Sequence, residues 1–122
     1  MPDEQLRLVD RFFDVVFYQY YADHPVGTVV LENREPTEIS DMKLSVFIKG
    51  FMDSPKVTVL EGTIPRGKTR TVDLYALFNT AVLDITEGTK VSAEIAVDYA
   101  QKAARKTATA QETVRLNHRN AS

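Results

Sequence analysis

The sequence predicts an all-β fold, an antiparallel β-sandwich of about seven short strands, and three observations carry that prediction. Between Thr89 and Leu116 two consecutive stretches alternate with period two. Val91, Ala93, Ile95, Val97 and Tyr99 alternate with Ser92, Glu94, Ala96, Asp98 and Ala100, then Ala108, Ala110, Val114 and Leu116 with Thr107, Thr109, Gln111, Thr113 and Arg115. Successive side chains of an extended strand point to opposite faces, so each stretch buries one face and wets the other. Turn signals recur at roughly ten-residue spacing along the rest of the chain. The strand–helix alternation that builds parallel sheets is not seen.

From the N-terminus, Arg7 to Val16 reads as a strand, followed by an aromatic turn or short helix through Phe17 to Asp23. A helix competes there, because Leu8, Phe12, Val15 and Gln19 also share a helical face, whereas Val15, Phe17 and Tyr18 are β-formers. His24-Pro25-Val26-Gly27 breaks the pattern, and Thr28 to Asn33 follows as a strand. After the turn Arg34-Glu35-Pro36-Thr37, the strand Met42 to Phe51 sets Leu44, Val46 and Ile48 against Lys43, Ser45, Phe47 and Lys49. Gly50 near its end suggests a bulge or bend. Asp53-Ser54-Pro55 is a turn, Lys56 to Ile64 a strand, and Pro65-Arg66-Gly67 a tight turn with Pro and Gly where such a turn wants them. Thr69 to Leu77 is a strand with Val72 and Leu74 inward, and Asn79 to Glu87 a short helix or loop closed by Gly88. The polar joint around Lys102 to Lys106 makes the last two strands a hairpin. The uneven connections, with a long crossover near Asn79 to Gly88, favour a sandwich over a closed barrel.

Residues 1–122 are expected to form a single domain, excised from a larger protein that carries any targeting signal elsewhere. With 43% apolar and 26% charged residues the composition is that of a folded globular chain. Its net charge of −2 gives no general attraction to nucleic acid or anionic membranes. The absence of cysteine excludes disulfides, thiolate metal sites and cysteine nucleophiles. No apolar run reaches the ~20 residues that span a bilayer.

Gly27-Thr-Val-Val-Leu-Glu-Asn33, then Leu44-Ser-Val-Phe-Ile48, Ile64-Pro-Arg-Gly67 and Thr71-Val-Asp-Leu74 follow one another in an order that resembles immunoglobulin-like modules of the bacterial CARDB-like type. Such modules occur in cell-surface and periplasmic proteins. The resemblance covers about residues 26 to 117 and rests on pattern rather than on a unique motif. It implies an immunoglobulin-like sandwich with an aromatic N-terminal segment, in a cell-envelope setting, periplasmic or extracellular. Its role would be that of a non-enzymatic spacer or protein-binding domain, with neighbouring domains or another envelope protein as partners. It brings no catalytic residues with it. The chain departs from antibody-type domains in having neither cysteines nor tryptophan.

Candidate chemistry is sparse. His24 in a turn and His118 in the tail lack any glycine-framed nucleophile beside them and read as solvated; a minor hydrolase would need one of them to face a carboxylate or hydroxyl in a cleft. Glu32, Glu35, Glu38 and Asp41 cluster around one turn, and Asp84 and Glu87 around another, so oxygen ligands for calcium are available. Without an Asp-x-Asp-x-Asp-Gly spacing they read as a solvated acidic surface. Glu94 and Asp98 face outward on a strand. Lys102, Arg105, Lys106, Arg115 and Arg119 read as charges that blunt a hairpin tip and an edge strand rather than as a nucleic-acid surface. No nucleotide fingerprint, metal centre or cofactor motif is present. Asn120-Ala121-Ser122 matches a glycosylation sequon at the chain end.

The aromatics stand out. Phe12, Phe13, Phe17, Tyr18, Tyr20 and Tyr21 hold more than half of the eleven aromatic residues (five Tyr, six Phe). They plug an open end of the sandwich or cover an edge strand, or, left uncovered, form a patch that docks a neighbouring domain, a peptide or a glycan. Tyr18, Tyr20 and Tyr21 are therefore the candidate binding surface, and a carbohydrate-binding module that stacks these tyrosines on sugar rings is the alternative to the spacer reading.

Overall fold

In the computed structural model the described residues are 6–13, 25–85 and 89–116. They form β1 (Leu6–Phe13), β2 (Gly27–Asn33), β3 (Ile39–Ile48), β4 (Lys56–Ile64), β5 (Thr69–Leu74), a short 3-10 helix (Thr80–Asp84), β6 (Thr89–Gln101) and β7 (Ala104–Leu116). Two antiparallel sheets result, one with the order β1-β2-β5 and one with the order β4-β3-β6-β7.

The sheets are held face to face by alternation. Val29 and Leu31 on β2 with Val72 and Leu74 on β5 form one inner surface. Leu44, Val46 and Ile48 on β3, Ile95 and Val97 on β6, and Val114 and Leu116 on β7 form the other. These side chains make one continuous apolar core, the dominant favourable contribution to folding. Met52, Ala76, Val82 and Ile85 close one end of it.

Element boundaries move where pairing overrides pattern. The strand expected over Met42 to Phe51 runs from Ile39 to Ile48, because Ile39 pairs with Ile64 of β4. It stops where Gly50, at φ +91°, turns the chain so that the amides of Phe51 and Met52 both donate to Ile48 O. β5 ends at Leu74 rather than Leu77, since the chain then leaves for the other sheet. The joint expected over Lys102 to Lys106 shrinks to the two residues between Gln101 and Ala104. Asn79 starts the 3-10 helix: its Oδ1 accepts from Ala81 N at 2.8 Å and its Nδ2 donates to Asp53 at 3.0 Å. Strand wins over helix at Leu6–Phe13, and the rest of the segment expected to Val16 lies outside the described residues.

Candidate functional site

Among the described residues the buried polar side chains, Asn33 and Glu35, lie where the β2–β3 link meets the β6–β7 hairpin. Tyr99 and Lys106 are register partners across that hairpin and so share its inner face. Both reach Glu35. Tyr99 donates its hydroxyl to Oε2 at 2.6 Å, and Lys106 Nζ lies 3.0 Å from Oε1 and 3.2 Å from Oε2. Glu35 is 1% exposed. The link itself is pinned by Asn33, also buried. Its Oδ1 accepts from the Glu35 amide at 2.8 Å, an Asx-type turn, and its Nδ2 donates to Ile64 O at 2.8 Å and Thr37 O at 3.0 Å. Gln101 adds a bond to Thr37 Oγ1 at 2.6 Å. With both carboxylate oxygens engaged and water excluded, Glu35 acts as a clamp between the two sheets.

This corrects the reading of Glu32, Glu35, Glu38 and Asp41 as one solvated acidic face. Glu35 turns inward, because the Asn33 turn reverses the chain over the hairpin's inner face. Glu32 lies 3.8 Å from Arg34, Glu38 is exposed, and Asp41 meets Arg105 at 2.6 Å. The four carboxylates thus diverge, and among the described residues no group of three or more His, Asp or Glu gathers to hold a metal. The basic hairpin tip is tied down in the same way. Arg105 bridges Asp98 at 2.8 Å and Asp41 at 2.6 Å, and its hydrogen bond to Asp98, with the charges of both carboxylates, raises its pKa from the ordinary value.

On the surface, β4 is an edge strand whose outward Val57 and Val59 are 51% and 61% exposed. Leu77 and Leu83 stand exposed near the crossover. Glu94 and Asp98 face outward, as their alternation predicts. Tyr18, Tyr20 and Tyr21, the expected binding surface, lie outside the described residues, as do Phe17, His24, Glu87, His118 and the sequon at Asn120. No helix among the described residues is long and apolar enough to cross a membrane.

Sequence reasoning missed the Glu35 clamp, although two signals pointed to it. Tyr99 ends an inward-facing row, where a buried phenol needs a partner, and Lys106 falls on the inward parity of the last strand. No family model matches this chain, and no curated protein is significantly similar to it.

Proposed function

We propose that this chain is a non-enzymatic structural and interaction module of a larger bacterial envelope protein. It is built as a seven-stranded immunoglobulin-like sandwich of the CARDB-like kind, spaces its neighbours and offers the β4 edge to a protein partner. The strand orders 1-2-5 and 4-3-6-7 support the sandwich reading, since an immunoglobulin-like domain likewise divides about seven antiparallel strands between two sheets. The observation that carries the interaction role is the pair Val57 and Val59, β-branched side chains left in solvent on an edge strand.

An extended segment laid along β4, an edge among the described strands, would find backbone groups for main-chain hydrogen bonds, with the two valines gripping its side chains. Completing the burial of a half-exposed valine contributes about 1 kcal/mol, enough to select a partner and too little to hold it without the ladder. Leu60 and Ile64 anchor β4 to the core behind it.

The test places a photo-crosslinking residue at position 59, and separately at Thr113 on the far strand β7, in the full-length protein within its own cells. Crosslinks from position 59 to a neighbouring domain or an envelope protein, absent from 113 and lost when Val57 is replaced by Lys, are the expected result. Equal labelling from both positions, or none from 59, overturns the interaction role.

A further inference from the structure

The register of the four-stranded sheet builds a depression on its outer face. Ser45 pairs with Ala96 and Ala96 with Thr109, so three small side chains line up across β3, β6 and β7. The adjoining row, Phe47–Glu94–Gln111, is built of larger ones, and Pro55 stands at its β4 side. The difference in height leaves a hollow of about 310 Å³, at the lower end of the size range of small-molecule sites.

Its walls are of mixed chemistry. Phe47 and Pro55 offer apolar surface, and Phe47 is seated against the core, which fixes its ring. Ser45 and Thr109 bring hydroxyls to the floor, and Gln111 donates to Glu94 Oε2 at 3.3 Å, which holds an amide and a carboxylate together on the rim. Among the described residues Glu94 is the one ionised group lining the hollow. The nearest arginine on this face, Arg105, is already bridged to Asp41 and Asp98. Lys43, exposed in the next row, stands opposite Asp98, and the lining itself would present a phosphate, a sulfated chain or a nucleic acid with a carboxylate and no cation.

We propose that this hollow is a binding site for a neutral oligosaccharide. One face of a sugar ring is C–H and lies on Phe47, and hydroxyls at the ring edge are donors and acceptors for Glu94, Gln111, Ser45 and Thr109. At its β4 end the row of small residues continues to Val57, the register partner of Ser45. The track therefore crosses four strands, or three interstrand spacings, roughly 14 Å, and stays open at the edge for a longer chain. The lining residues do not include Tyr18, Tyr20 or Tyr21, and the floor at Ser45, Ala96 and Thr109 stands whether or not the β4 edge binds protein.

The test follows backbone amide shifts of the isotopically labelled full chain during titration with cellopentaose, chitopentaose and, as the anionic control, a heparin pentasaccharide. The expected result is saturable shifts at Ser45, Phe47, Ala96, Thr109 and Gln111 with one of the neutral sugars and none with heparin. Ala96→Gln fills the floor from an outward-facing position without adding charge. It is expected to weaken binding by at least about tenfold at an unchanged melting temperature. Phe47→Ala should weaken it as much, and the Ala96 variant covers the case in which losing Phe47 disturbs the fold. No shift with either neutral sugar up to about 10 mM, shifts confined to Tyr18, Tyr20 and Tyr21, preference for heparin, or binding indifferent to Ala96→Gln would each overturn the proposal.

Discussion

Tyr99 and Lys106 approach Glu35 from neighbouring strands, and their energetic roles differ. Replacing Tyr99 by Phe removes the shorter of the two hydrogen bonds to the buried Oε2 and leaves it only Lys106 Nζ at 3.2 Å, a loss of ~1–3 kcal/mol. Urea unfolding should show that loss as a lower midpoint with an unchanged slope. For Lys106 the two halves of the pair are unequal. The Glu35 side chain is wholly buried, whereas that of Lys106 is 36% exposed. Lys106→Met therefore strands a charge in the core, while Glu35→Gln lets the lysine turn to water. The first is expected to cost up to about 3 kcal/mol and the second clearly less, and the reverse order would contradict the clamp. The sequence placed these residues near each other only weakly, since nothing local to Glu35 says that its turn folds inward. That is decided by Asn33, whose side-chain bonds reach across to Ile64.

Among the elements, the β6–β7 hairpin is the most legible and holds the clearest local strain. Its thirteen-residue strands pair without a register shift from Thr89↔Leu116 to Gln101↔Ala104, as the long alternation predicts. The connecting turn puts Lys102 at φ +56°, in the left-handed region that glycine occupies without penalty. A side chain there costs ~1–2 kcal/mol, and glycine returns ~0.5–1 kcal/mol of that through its freer unfolded chain. Lys102→Gly is expected to raise stability by about 0.5–1 kcal/mol, read as a melting temperature higher by a few degrees. A drop would mean that the lysine side chain contributes something its exposed position hides. The expected joint was longer because Arg105 and Lys106 carry charge, and charge at a hairpin tip looks like loop until Arg105 is seen bridging to β3 and β6 and Lys106 to the β2–β3 link.

At the scale of the whole molecule, each sheet joins strands distant in sequence: Val29 pairs with Val72, and Leu44 with Val97. Loop closure must precede those pairings, so the chain should refold on the millisecond-to-second scale expected of sandwiches. Stopped-flow fluorescence of the tyrosines checks this, and microsecond refolding would argue for a core assembled mainly from local contacts. The same topology places the outer hollow. Ala96 and Thr109 face each other across the hairpin, but Ser45 lies far from both along the chain and joins their row only through the β3–β6 register, so no local motif could announce it.

Taken alone, the amino-acid order determined the strands after Gly27 to within a few residues and the inner faces of β3, β5, β6 and β7, because period-two alternation is a property of the backbone that needs no partner to be read. It also determined most turn positions, since proline, glycine and asparagine restrict the chain wherever they stand. The sheet to which each strand belongs, the inward turn of Glu35 and the contour of the outer face were settled only by the tertiary structure. Each depends on register between distant strands, and a shift of one residue would turn every side chain to the opposite face.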